Sequence, residues 1–120
     1  MTREEIIDYV EQNYNALIDD PWANDQTSLV IRHSISKKWF GLIMNIPKNK
    51  LDAKSQENID IINLKVNPDL IDLLLSEKGF YRAYHMNKNN WITIDIKDAK
   101  KDLIIKLIDL SYDLTKNQHK

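Results

Sequence analysis

Apolar residues recur at helical spacing from the start of the chain. Ile6, Ile7, Val10, Tyr14, Leu17 and Ile18 follow the i, i+3, i+4 pattern of a helix with one buried stripe. Thr2 and Glu5 have the spacing of a capping box, in which each side chain accepts the other residue's backbone N–H. Proline disfavours helical backbone in the residue before it, so this helix is expected to end before Pro21. Glu4, Asp8, Glu11 and Asn15 form its polar face.

The period then changes. Residues 29–34 and 38–46 are strand-like runs flanking a short turn at Ile35-Ser36-Lys37, and 59–65 is a third run of that kind. The polar, lysine-rich stretch 47–58 reads as an exposed loop. Asn67 suits an N-cap, Pro68 the first helical position and Gly79 a C-terminal stop, so a helix reaches from there to about Glu77. Residues 80–86 and 91–96 form a second hairpin around Asn87-Lys88-Asn89-Asn90, where asparagine's tolerance of positive φ can replace glycine. A final amphipathic helix is expected over 99–115, with Leu103, Ile104, Leu107, Ile108 and Leu114 facing inward. Residues 117–120 read as a frayed tail.

The resulting order is α-β-β-β-α-β-β-α. Helices and strands do not alternate regularly, which predicts an α+β fold: an antiparallel sheet of about five strands with helices packed on one face.

Alternation along the strands assigns faces. Phe40, Leu42, Met44 and Ile46 share one parity, and Trp39, Gly41, Ile43 and Asn45 the other. Ile92, Ile94 and Ile96 oppose Trp91, Thr93 and Asp95. If Ile62 and Leu64 point inward, Asn63 and Lys65 point outward. Helices on one side would leave Arg32, Trp39, Asn63, Lys65, Trp91 and Thr93 on the other, as an interaction surface bearing two indoles and bases. The competing expectation is that the 47–58 loop covers the indoles, or that they pack on each other across strands.

Size and composition narrow the classes. At 120 residues one domain spanning 1–120 is expected. The chain has no cysteine, which excludes disulfides, thiolate zinc sites and a cysteine nucleophile. The N-terminal residues lack a signal-peptide pattern, and no apolar run reaches the length of a membrane span. A cytoplasmic, monomeric protein with no membrane attachment is the expectation. Net charge is −1, which weighs against strong nucleic-acid binding. The charges are unevenly spread, however. Residues 1–27 hold Glu4, Glu5, Asp8, Glu11, Asp19, Asp20 and Asp25 against Arg3, whereas 32–54 hold Arg32, Lys37, Lys38, Lys48, Lys50 and Lys54 against Asp52. One basic face on a nearly neutral protein is therefore allowed.

Several motifs carry a family resemblance. Asn63-Leu64-Lys65 precedes the helix-starting Pro68, His85-Met86-Asn87-Lys88 is followed by Trp91, and Ser111-Tyr112 lies behind Leu107-Ile108-Asp109. Together with Lys38-Trp39-Phe40 and Arg32-His33, these resemble the motifs of the MmcQ/YjbR family, in order along nearly the whole chain. Arg82-Ala83 stands where many members have proline-glycine, and Asn90 where histidine is common. The resemblance implies a CyaY-like fold with helices on one face of an antiparallel sheet. It also implies binding to double-stranded DNA by a double-wing arrangement, in which hairpins approach the duplex.

The residues that would do this are Lys37 and Lys38 at one hairpin tip, Lys65, Arg82, and the second tip with His85, Asn87, Lys88 and Asn89. Lysines there can reach phosphates, and Asn87 or Asn89 base edges. The alternative is a protein- or ligand-interaction module that uses the tryptophan-bearing sheet face and has no nucleic-acid role. No Ser-His-Asp or paired-carboxylate constellation is visible, so catalysis is not expected, and His85 reads as a hydrogen-bonded strand residue. His33, His85 and His119 lack metal-ligand spacing, and the acidic face of the first helix reads as solvated. No cofactor or metal is expected.

Overall fold

The computed structural model describes residues 1–22, 25–51 and 54–116. Helix α1 (Arg3–Asn13) opens with the capping box: Glu5 N–H donates to Thr2 Oγ1 at 3.1 Å and Thr2 N–H to Glu5 Oε1 at 2.9 Å. It stops at Tyr14, whose backbone is extended. The expected continuation through Leu17 and Ile18 is wrong, because Ala16–Asp19 is a strand, β1. Tyr14, Leu17 and Ile18 match a helical period by coincidence. In β1 the chain alternates instead, with Ala16 and Ile18 turned to the core and Leu17 40% exposed.

The remaining elements are β2 (Leu29–His33), β3 (Trp39–Pro47), β4 (Asn58–Lys65), α2 (Ile71–Leu75), β5 (Phe80–Arg82), β6 (Trp91–Asp95) and α3 (Lys101–Lys116). Single 3-10 turns at Lys48–Lys50 and Pro68–Leu70 precede β4 and α2. The sheet therefore has six strands, in the order β1-β2-β3-β4-β6-β5, all neighbours antiparallel. Asn67 caps the turn that leads into α2 by accepting from Asp69 N–H at 2.9 Å. The helix expected to reach about Glu77 ends at Leu75, and Gly79, with φ +87°, lies instead in the turn that enters β5, where a Cβ would meet Ala99 N at 2.8 Å. Both conditions favour glycine.

The main core lies between the sheet and α1, α2 and α3. Ile6, Val10, Ile31, Phe40, Ile43, Ile62, Leu64, Ile92, Ile94, Ile104 and Ile108 are nearly or fully buried in it. Burial of one such side chain stabilises the fold by on the order of 2 kcal/mol. Leu114, expected inward, is 39% exposed, and Ser111 and Thr115 take the buried stripe of α3.

The parity expected for β3 also fails, for a definable reason. Ile31 pairs with Gly41 but Arg32 with Trp39, so Phe40 is an extra residue in a bulge. A bulge exchanges the faces of the residues beyond it. Phe40 joins the helix-side core together with Ile43, whereas Leu42, Met44 and Ile46 lie on the opposite face. There they form a second cluster with Val30, Ile59 and Ile61, flanked by Trp39, Leu51, Tyr84 and Met86. The far side of the sheet is thus half covered, in part by Leu51 from the loop expected to be exposed.

Candidate functional site

Both hairpin turns leave the sheet at the same end. β2 ends at His33 and β3 begins at Trp39; β5 ends at Arg82 and β6 begins at Trp91. The register aligns them through β4, since Gly41 faces Leu64 and Leu64 faces Ile92, which in turn faces Arg82. Lys37 and Lys38 therefore stand on one turn, Arg82, His85, Asn87, Lys88 and Asn89 on or beside the other, and Lys65 between them. Every cationic residue proposed from sequence for duplex contact comes to this one end.

The turns are built differently from expectation. Positive φ among non-glycine residues occurs at Lys37 (+67°) and His85 (+64°), not in the asparagine run. Asn87 shapes its turn by accepting from Asn89 N–H at 2.8 Å, and its carbonyl accepts from Trp91 N–H at 3.0 Å. The Asn87 Oδ1 is thereby engaged within its own turn. Lys37 Nζ donates to Ser34 O at 2.6 Å. His85 is exposed and lies beyond β5, so the strand position expected for it is incorrect.

A row of side chains crosses the sheet just below the turns, on the face away from the helices. Leu17 pairs with Arg32, Arg32 with Trp39, and Lys65 with Trp91. Their chain neighbours Ile31, Phe40, Leu64 and Ile92 belong to the helix-side core, so these five residues face outward. Arg32, Trp39, Lys65 and Trp91 are half-buried. Trp22, 43% exposed, meets Trp39 edge-on with ring centroids 6.5 Å apart. Arg32 Nη2 lies 2.7 Å from Asp19 Oδ2. Leu17 escaped the sequence reading because it sat in what looked like the end of a helix, and Trp22 because it lay in the exit just beyond it. Ala16, Leu17 and Ile18 are all apolar, so the alternation of β1 shows only in its burial.

Two residues expected on that surface are not on it. Asn63 and Thr93 do face away from the helices but are fully buried, because the segment following β5 crosses above them. Tyr84 N–H donates to Thr93 Oγ1 at 2.8 Å, Thr93 O–H donates to Asn63 Oδ1, and Asn63 Nδ2 donates to Tyr84 O at 3.2 Å. Both backbone groups of Tyr84 are thereby satisfied by side chains from two strands. Asn63 thereby ties the segment that follows β5 to the sheet.

The two described histidines sit in different settings. His33 is buried between the Phe40 and Tyr112 rings, at 4.9 and 4.4 Å, with Nε2 2.7 Å from Thr115 Oγ1. Burial, and secondarily Lys116, lower its pKa. His85 packs edge-on against Tyr84 at 4.2 Å. His119 lies outside the described residues. Among the described residues no three His, Cys, Asp or Glu groups are placed to hold a metal ion, and no helix is long and apolar enough to cross a membrane.

The YjbR family model matches residues 5–114. The chain belongs to the YjbR family. It is 38% identical to the uncharacterised protein YyaQ of Bacillus subtilis (strain 168) over 117 residues, covering 97% of this chain and 99% of that protein. A crystal structure of a protein from Pseudomonas syringae is similar with TM-score 0.92 and 39% identity, covering 96% of this chain and 99% of that one. A solution structure of a Pseudomonas syringae protein gives TM-score 0.88 and 38% identity, covering 100% and 97%. A Deinococcus radiodurans protein with a DUF419 domain shares the fold at 21% identity and TM-score 0.70, covering 98% and 80%. In this chain the Asn63–Tyr84–Thr93 bracket and the two basic turns lie on one six-stranded sheet.

Proposed function

We propose that this YjbR-family domain binds double-stranded DNA without catalysing a reaction, through the end of the sheet that carries both hairpin turns. One observation supports this above the others. The β2–β3 and β5–β6 turns are separated by three strand spacings, about 14 Å, close to the roughly 12 Å width of a B-DNA major groove. Each tip can then meet one of the two phosphate backbones that border the groove. Lys37 and Lys38 contribute from one side and Lys88 from the other, with Lys65 and Arg82 between.

The contacts are electrostatic and few, on a chain whose net charge is −1, so binding is weak and falls with salt. Anisotropy titration of a labelled duplex over a salt series tests it. Lys37→Glu with Lys88→Glu is expected to weaken binding by about tenfold or more and to flatten the salt slope by about two. No binding at low salt, or binding indifferent to the double variant, refutes it.

The Trp22–Trp39 edge contact and the half-buried Trp91 favour a second reading, in which the outward row receives a protein or ligand. Trp and Arg are enriched at interface hot spots. Under that reading, Trp39→Ala and Trp91→Ala remove partner binding in a folded protein, while the charge variants leave it intact.

A further inference from the structure

A cleft of about 700 Å³ opens beside the edge strand β5, between the 3-10 turn after β3 and the segment that follows β5. Its volume is that of a small-molecule site. Lys50, Arg82, His85 and Lys88 line it, and no carboxylate does so among the described residues. That bias is notable in a chain with 18 acids against 17 lysines and arginines. Between the bases, Tyr81, Tyr84 and Leu51 supply flat and apolar wall.

The wall nearest the sheet is already in place. Tyr84 is fastened through both its backbone groups to Thr93 and Asn63. His85 is held in the left-handed region with its ring against that of Tyr84. Such backbone in a non-glycine residue persists only where its surroundings enforce it, and clusters at binding sites. A ligand entering here need not order that wall, which favours binding. The outer edge of β5 borders the cleft as well, because β5 is the last strand of the sheet.

We infer that this cleft binds a small phosphorylated molecule with a planar ring, of the nucleotide class. Lys50, Arg82 and Lys88 meet the phosphate, with Arg82 able to engage two of its oxygens, while the ring lies against the tyrosines. Arg82, His85 and Lys88 are shared with the proposed duplex-binding end. Lys50 and Tyr81 are not, and they make the two proposals separable.

The test is an NMR titration of the full chain with AMP, with inorganic phosphate, and with NaCl at matched ionic strength. AMP is expected to give saturable shifts at the amides of residues 80–86 and of Lys50 and Leu51, with inorganic phosphate moving the same amides more weakly. Lys50 is exposed and outside the sheet, so Lys50→Glu leaves the fold intact and should weaken AMP by about tenfold. Lys37→Glu should leave AMP binding unchanged, so a protein that fails to bind duplex can still bind AMP, and the reverse. Shifts no larger than those from NaCl, or AMP binding unaffected by Lys50→Glu, overturn the site. AMP binding no tighter than that of inorganic phosphate overturns the assignment to the nucleotide class.

Discussion

Ser111 Oγ donates to the carbonyl of Phe40 at 2.6 Å and accepts from Lys65 N–H at 3.0 Å. One hydroxyl on α3 therefore closes the gap opened by the bulge in β3 and ties off the last residue of β4. Phe40 is the extra residue of that bulge, so its carbonyl needs a partner from outside the ladder.

Ser111→Ala leaves a donor and an acceptor unpaired at a fully buried position. A loss of about 2 kcal/mol in unfolding free energy is expected, measured from urea unfolding midpoints at unchanged slope. A loss below a few tenths would mean that water satisfies both groups.

Thr93→Val keeps the shape of the side chain but removes the oxygen that receives Tyr84 N–H and the proton given to Asn63. Stability should fall by about 1 to 3 kcal/mol. The more telling readout is hydrogen exchange. The Tyr84 amide should exchange much faster in the variant, while the amide of Ile62, deep in β4, changes only as far as global stability does. Equal acceleration at both amides would show that the bracket has no local role.

His33 gives the fold a pH dependence of definite sign. Its pKa is lowered in the folded protein by burial and by Lys116. Below the ordinary histidine value of 6.5, the unfolded chain takes up a proton that the folded chain resists. The unfolded state then binds more protons, so stability rises with pH across that window and is lost on acidification. His33→Gln should show a smaller drop in urea midpoint than the parent protein between about pH 7.5 and pH 5.5. An equal drop in both would assign the acid sensitivity to other groups.

Most of the secondary structure was legible along the chain, because local chemistry specifies it. The Thr2/Glu5 box and the Asn67-Pro68 start each act within a few residues and sit where expected, whereas the helix expected to reach about Glu77 ends at Leu75, ahead of the Gly79 stop. The two hairpins and the parity of β6 followed from alternation, the parity of β4 stayed open because Ile59 and Ile61 compete with Ile62 and Leu64, and the motifs around Asn63, His85 and Ser111 marked the family. β1 was lost because four residues, Ala16–Asp19, are too few to distinguish period two from period 3.6 once a helix precedes them.

Faces and burial belonged to the tertiary structure. The bulge at Phe40 depends on how β2 pairs with β3, a non-local choice, and it sends Leu42, Met44 and Ile46 to the side opposite their apparent partner. Asn63 and Thr93 have polar, outward parity in the sequence, yet they are buried because a segment some twenty residues on from Asn63 crosses over them and uses their hydrogen bonds. Likewise, the sequence holds the lysines of the two turns fifty residues apart, and only the strand order β2-β3-β4-β6-β5 sets them on one end of the sheet. Local propensity determined which residues form strands and turns. Pairing across the sheet decided which of them face a partner.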